Sequence, residues 1–591
     1  MRKYCFTYIL ALMLFGCVSK YQLQTSSHNE PTKPSEIKWY IKFDEASKES
    51  QLNNKPMMLV FYGVSSKRLD ERVFSDPEVM SLAENFVCLR LGADQNELAQ
   101  RYLIQEFPTI VFTDARGLEY DRTVGYKSPS SFVSILKNAL LGVEAEYTLI
   151  IESPERKIAN VKCVFKNIRA KSLILYLIER HDKINIMSYD STDGRPGLKK
   201  LEDGIWEMQF NTFAMKTVTI QYQVEINILS RMDYEPAYIS YIGEDYGILD
   251  GHALFLAPRD LSITGKIRIQ LKLPPDWDAI TPWDVESHLN FSTKRIDEVS
   301  DSIVCIGKFQ YTKRQIKDKE IFVVFCGTDK YSSDLESKGD TAVKIFNDYT
   351  SRFGDFPFSK YVAVFAGKTP DGKYIHGTAH GSGFAGPIEM SNLYTLQFIA
   401  HEIFHVWNGR LINQKSDYEV WFKEGFTQYY GYITPYRAGL YSKDIYLQYL
   451  KNNYNEYLRI HENGHDMALT RVNEGIARRE GFTQADSIRV WIMYNKGALV
   501  AHLLDNTIME LTKGQKTLDD LMNYMFNNYR YKSYTTDDVL KAVNSITGQD
   551  FFKILYGLYI WKGKAPARKR LIIVLKMNLK YYYRVSIILM L

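Results

Sequence analysis

The hydrophobic period of this chain changes along its length, and each change limits what the segment can fold into. Over residues 37–142, short apolar runs alternate with amphipathic stretches. Pro56-Met57-Met58-Leu59-Val60-Phe61-Tyr62 reads as a buried strand, KRLDERVFSDPEVMSLAENF as helix, VCLRLGA and TIVFTD as further strands, and 128–141 as a closing helix. Alternating strand and helix is the α/β signature. Residues 143–328 switch to a period of two, in runs such as VKCVFKNI, TVTIQYQVEINIL, KIRIQLKL and EIFVVFCG. Short strands with few helical stretches predict an antiparallel β-sandwich. From 329 to 566 the period is helical; LESKGDTAVKIFNDYTSRFG is amphipathic and ends on Gly354, a C-cap signal. A chain of 591 residues exceeds what one hydrophobic core serves. The reading is therefore a multidomain α+β protein: an α/β domain, a β-sandwich and a mainly α domain.

Charge and cysteine usage exclude some partners and point to a compartment. A net charge of +5 over the whole chain is too small to argue for nucleic acid. Residues 1–17 read as a secretory signal: Arg2 and Lys3 precede an apolar run over 8–15, too short for a spanning helix. Leu14-Phe15-Gly16-Cys17 resembles a bacterial lipobox, which implies lipidation at Cys17 and an anchor on the cell envelope without a transmembrane helix. Residues 18–36, polar and Pro/Ser-bearing, read as a linker. Cys88, Cys163, Cys305 and Cys326 are scattered with no C-x-x-C; Cys305 and Cys326 flank a strand-like pair and could bridge in an oxidising envelope. The tail, 567–591, is basic and then apolar, too broken by charge for a membrane helix, and suggests no function. Within 143–328 no titratable cluster shows metal-ligand spacing.

One helical segment carries chemistry. LYTLQFIAHEIFHVWN, ending at Asn408-Gly409, places His401 and His405 four residues apart, so both project from one face. Glu402 follows the first His. This is H-E-x-x-H on a helix: two imidazoles for Zn2+ and a carboxylate beside the metal-activated water. A catalytic zinc needs a third protein ligand and an open position. Glu424, nineteen residues after His405 in WFKEGFTQYY, supplies it, and Ser416-Asp417-Tyr418-Glu419 looks like the capping box that opens its helix. His461-Glu462-Asn463-Gly464-His465 matches the same pattern, but Asn463-Gly464 is a turn signal that breaks helical spacing.

His401 to Asn408 with Glu424-Gly425-Phe426-Thr427 resembles the gluzincin peptidases, and within them the glycyl aminopeptidase family, over roughly residues 145–560. The resemblance implies a β-rich domain ahead of a thermolysin-like catalytic domain, a peptide or protein substrate, and hydrolysis by a zinc-activated water with Glu402 as general base. It also singles out Tyr494, in Tyr494-Asn495-Lys496-Gly497-Ala498, as donor to the oxyanion. Where this family reads G-G-x-E-H, the chain reads His376-Gly377-Thr378-Ala379-His380. The carboxylate that would hold a substrate's free N-terminus is Ala379, which weakens aminopeptidase specificity and favours endopeptidase action. His376 and His380 read as ordinary strand-edge residues. The PDZ module of many relatives is not expected after 566.

Residues 37–142 resemble the thioredoxin-like fold, with Pro108 of Phe107-Pro108-Thr109 matching the family's cis proline. Gly63-Val64-Ser65-Ser66-Lys67 stands where the redox cysteines belong. Disulfide exchange needs an attacking and a resolving thiol, so the domain is expected to be redox-inert, with a binding or spacing role. From this and Ala379 a competing reading follows: a catalytically silent envelope lipoprotein that binds peptides or proteins.

Overall fold

The computed structural model describes residues 36–548, apart from 54, 64–65, 93–95, 115–116, 180, 213, 230–236, 260–262, 264, 328–333, 376–377, 389–391 and 473–482. Cys17, nearly all of the 18–36 linker, His376 and the 567–591 tail therefore lie outside the described residues. The chain divides into two compact units, one formed by 1–109 with 124–137 and the other by 110–123 with 138–591.

In the first unit, Val87–Leu91 is flanked by Trp39–Tyr40 and Met57–Phe61, both pairings parallel. All of Met57–Phe61 is buried, as a continuous apolar run in a parallel sheet requires. The long stretch read as one helix is broken in two, into a π turn at Leu69–Val73 and a helix at Pro77–Ala83. The break falls where Asp76 turns extended and caps the backbone N–H groups of Glu78 and Val79, with Pro77 as the first helical residue. The Phe107-Pro108 peptide is cis, as the resemblance implied. Cys88 is buried in its strand, and burial pushes its thiol up to about 12.

The second unit begins with β-structure. Ile158–Ile168 and Lys216–Glu225 pair antiparallel at the centre of a seven-stranded sheet, alternating buried with partly exposed positions. Tyr147 and Tyr222 on this sheet donate to the carbonyls of Leu256 and Leu254, beside Ala257–Pro258 of a four-stranded sheet. The two inner faces thus meet through buried aromatics whose hydroxyls find backbone partners. A six-stranded sheet includes Tyr246–Asp250 and Ile303–Gly307.

The change of period near 328 is not a sheet boundary. Phe309–Ile316 and Lys319–Cys326 join Lys360–Ala366, Gly383–Pro387 and Thr378–His380 in one five-stranded sheet, the last strand antiparallel at the edge. A strand carries the same local pattern in either sheet, so its partner was invisible in the sequence. Cys305 and Cys326 are free, buried thiols with Sγ atoms 3.0 Å apart. Helix Leu335–Phe353, ending on Gly354 as its spacing predicts, buries Ile345, Phe346, Tyr349 and Phe353 in a large aromatic core shared with the helices that follow.

Candidate metal centre

The motif helix spans Asn392–Phe404, so His405 sits in the turn that closes it, a little before the end expected at Asn408-Gly409. Val406, Trp407 and Asn408 donate to the carbonyls of Ile403, Phe404 and Phe404, and these tight bonds keep His405 stacked one turn after His401. Ile399, Ala400, Ile403 and Phe404 face the core. Tyr349 and Tyr361 donate to the carbonyls of Ala400 and Glu402 at 2.9 and 3.4 Å, clamping the helix at the level of the motif.

The second helix, Val420–Arg437, is opened by the capping box expected from sequence: Ser416 and Glu419 satisfy each other's backbone donors ahead of it. Glu419 also accepts from the N–H of Thr536, which starts another helix. Asn408 joins the two motif helices. It is wholly buried, and its Nδ2 lies 3.1, 3.0 and 3.2 Å from the carbonyls of Phe422 and Lys423 and Oγ1 of Thr427. One side chain therefore fixes the first turn of the helix that presents Glu424.

The result is a closed set of donors. His401 Nε2 and His405 Nε2 are 3.2 Å apart. Glu424 Oε2 stands 3.6 and 3.4 Å from them. Ligands at about 2.0–2.1 Å on a tetrahedral zinc are separated by roughly 3.3–3.4 Å, the spacing seen here. Glu424 Oε2 is buried without a hydrogen-bond partner. An acceptor left so would cost about 1–3 kcal/mol, which a cation at the centre removes. His405 Nδ1 lies 3.2 Å from the carbonyl of Asn408, so that nitrogen carries the proton and Nε2 is free to ligate. Burial alone would raise the Glu424 carboxyl, but positive charge facing it, carried by protonated His405 and His401 when no cation is bound, outweighs burial and holds it well below the usual range. The residues present fit zinc.

Glu402 is buried and directly follows His401. Tyr494 lies on a π turn, Ile492–Lys496, inserted between helices Gln484–Trp491 and Gly497–Leu511. Such turns are frequent at functional sites because they redirect a single side chain. The Tyr494 ring is 5.6 Å from that of His401, centre to centre. Burial first, then the charges of Glu424 and Glu402, push its phenol well above the ordinary value, so the hydroxyl remains a donor. Gly425 and Gly497 make this placement possible: a Cβ on Gly425 would stand 2.5 Å from the Gly497 Cα, and the reverse is 2.6 Å. The glycines of the two motifs are where the two helices touch backbone to backbone.

The other singled-out positions are placed as follows. Ala379 lies on the edge strand opposite Phe384, with no carboxylate of its own. Helix Lys443–Glu462 ends at Asn463, leaving His465 beyond it, so the second H-E-x-x-H has no shared helical face. Two expectations are corrected. His380 lies on the edge strand but is not an ordinary edge residue, being buried between Asp250 and Asp301. The β-rich segment does contribute to a titratable cluster, because Asp250, His252 and Asp301 meet His380 across separate elements. Sequence reasoning also assigned no role to Asn408 or the glycine pair, although both sit inside the motifs it used.

Fold and donor set together define a candidate zinc centre within the mainly α part of the chain. More particularly, residues 388–557 match the peptidase family M1 domain, 146–308 the peptidase M61 N-terminal domain, and 43–140 a thioredoxin-like domain. Aminopeptidase M1 of Arabidopsis thaliana is 22% identical over 321 residues, covering 50% of this chain and 34% of that protein. The thiol:disulfide interchange protein DsbD of Colwellia psychrerythraea is 25% identical over 147 residues, covering 22% of this chain and 24% of its own length. The chain thus spans about a third and a quarter, respectively, of these curated relatives. Among solved structures, an aminopeptidase N family protein from Idiomarina loihiensis superposes with TM-score 0.58 at 17% identity, over 73% of this chain and 78% of that one. An M1 zinc metallopeptidase from Deinococcus radiodurans bound to a Tyr-Ser-Ala substrate gives 0.51 at 13%, over 72% and 96%. These likenesses establish the fold.

Proposed function

We propose that the protein is a zinc-dependent peptidase acting at this centre. The observation that carries the reading is the convergence of His401 Nε2, His405 Nε2 and Glu424 Oε2 within 3.2–3.6 Å of one another, with Glu402 adjacent. Zinc, when bound, supplies a Lewis acid that polarises the scissile carbonyl and acidifies water. Glu402 takes the proton of the attacking water and later delivers it to the leaving amine. Tyr494 donates a hydrogen bond to the oxyanion that forms as the carbonyl becomes tetrahedral. Asn408 and the Gly425–Gly497 contact hold these groups in register. The substrate-bound Deinococcus structure supports a peptide substrate. Ala379 offers no counter-ion to a free N-terminus, which supports cleavage of internal bonds. The lipobox-like Leu14-Phe15-Gly16-Cys17 supports a lipid-anchored position on the cell envelope. Cys88, the one cysteine of 43–140, is buried with a raised thiol, which favours a binding or spacing role for that domain.

The test is Glu402→Gln assayed on an unbiased peptide library beside zinc analysis. Zinc is retained and hydrolysis falls by about 10²–10⁴-fold, the usual contribution of a positioned general base. Normal cleavage by the variant refutes Glu402 as the base. A wild-type chain that holds zinc and cleaves nothing in the library favours the peptide-binding alternative.

A further inference from the structure

A second set of metal-ligating side chains lies outside the centre above. Asp250 ends the strand Tyr246–Asp250 and caps the turn Gly251–Leu254, accepting from the N–H of His252 at 2.7 Å. His380 ends the edge strand Thr378–His380. Asp301 follows the short helix Ile296–Ser300. The His380 and Asp250 side chains are 0% and 3% exposed.

The orientation of the two imidazoles is the informative part. His380 Nε2 is 3.3 Å from Asp250 Oδ2 and makes no hydrogen bond, although it is buried. His252 Nδ1 is 3.9 Å from Asp250 Oδ1. The opposite ring nitrogens, His380 Nδ1 and His252 Nε2, lie 3.2 and 3.1 Å from the same atom, Asp301 Oδ1. Asp301 is fixed in turn through Oδ2, which accepts from Gly381 N at 3.0 Å and Arg410 Nη1 at 3.1 Å. Each ring therefore gives one nitrogen to a carboxylate that sets its tautomer and turns the other toward Asp250. This is how metal-bound imidazoles are arranged, with a carboxylate behind the ligand. Donor atoms of Asp250, His252 and His380 all lie within 4.8 Å of one another. An imidazolium of His380 bridging two carboxylates accounts for that residue alone. It gives no reason for His252 to share the Asp301 oxygen while its own Nδ1 faces Asp250.

We propose that Asp250, His252 and His380 bind a second divalent cation of the zinc type, with Asp301 orienting both imidazoles. Two imidazoles and one carboxylate suit zinc, and the partly exposed His252, at 22%, leaves a way in. The ion ties the edge strand to the turn after Asp250. Through Asp301 and Arg410 it also reaches the segment that follows the H-E-x-x-H turn.

The experiment strips the full chain with a chelator, reloads it with Zn2+ alone, removes excess by gel filtration and counts zinc by mass spectrometry. Wild type is expected to hold about two zinc ions, and His252→Gln and Glu424→Gln about one each. Glu424→Gln should still gain thermal stability on adding Zn2+, and the double variant should not. Asp301→Asn should weaken the second site by about 10–100-fold without abolishing it. One zinc in wild type and still one in His252→Gln overturns the proposal and leaves an imidazolium ion pair only. Two in both places the second ion elsewhere and equally overturns it. No zinc in Glu424→Gln refutes the second site while leaving the peptidase reading intact.

Discussion

Substituting Gly425 by alanine tests whether the backbone contact between the two motif helices sets the geometry of the centre. An added Cβ would meet the Gly497 Cα at 2.5 Å, the Gly497 carbonyl carbon at 2.8 Å and the Met493 oxygen at 3.2 Å. Carbon atoms rest at about 3.5–4.0 Å, so the helices must part by roughly 1 Å. None of the three atoms is the end of a flexible side chain, so the strain cannot be absorbed locally. Overpacking of this kind costs about 1–3 kcal/mol, or a fall of about 2–10 °C in the unfolding midpoint for a domain of this size. The larger effect is on chemistry. Gly497 lies three residues after Tyr494, and Gly425 directly follows Glu424. In the proposed mechanism a shift of about 1 Å between them misaligns Tyr494 against the metal ligands, which costs about 10²-fold in turnover. Zinc content, thermal unfolding and kcat/KM on a cleaved peptide are measured together, with Gly497→Ala as the reciprocal variant. If Gly425→Ala unfolds at the wild-type temperature and turns over at the wild-type rate, the backbone contact is refuted as the device that sets the site.

Three further outcomes are expected. Tyr494→Phe keeps its zinc and its fold but loses about 10²–10³-fold in kcat, the worth of one oxyanion donor; an unchanged kcat removes Tyr494 from the reaction. Asn408→Ala removes the side-chain hydrogen bonds to the Phe422 and Lys423 carbonyls and to Thr427, costing about 1–3 kcal/mol in denaturant titration. Zinc held by that variant against a chelator should fall by about 10–100-fold, because Glu424 loses its anchor. His502 is half-buried, accepts from Asn506 through Nε2 and contacts Tyr446 through Nδ1, and the loss of water around its ring lowers its pKa from 6.5 to about 4. The unfolded chain therefore binds the extra proton between those values. The stabilisation is complete above pH 6.5 and is lost as pH falls toward 4, by up to about 3 kcal/mol. A His502→Leu variant whose stability falls as steeply as wild type over that window refutes the assignment.

What was legible in the sequence follows from how local each feature is. His401, Glu402 and His405 share one helix, and helical geometry alone puts both imidazoles on one face. Glu424 required one more step, the capping box at Ser416–Glu419, which announces a helix returning after a short turn. The period of two predicts strands over 143–328 but not their partners, so the pairing of Lys319–Cys326 with Lys360–Ala366 across residue 328 cannot be read from it. Asn408 and Gly425 stand in the sequence as letters of a motif. Their roles depend on backbone approaching from a helix some seventy residues away, or on two carbonyls of another element, and no local pattern encodes that. The cluster at Asp250 is the extreme case, since its members come from three segments separated by up to 130 residues.

That cluster bears on the meaning of Ala379. Successive residues of a strand point to opposite faces, so fixing one fixes its neighbour. His380 is committed to the buried side by Asp250 and Asp301, and the pairing of Ala379 with Phe384 and His380 with Gly383 sets the register. Position 379 must then present its side chain to the other face. A slip by one residue, which would bring a different side chain to that face, would pull His380 away from Asp301 and leave the buried Asp250 without the ring that faces it. Uncompensated buried charge costs about 3–5 kcal/mol, more than an edge strand of three residues recovers by pairing elsewhere. The missing carboxylate at 379 is therefore held in place by the residue beside it. The same histidine, which reads from sequence as an ordinary strand-edge residue, is what holds this strand in its register.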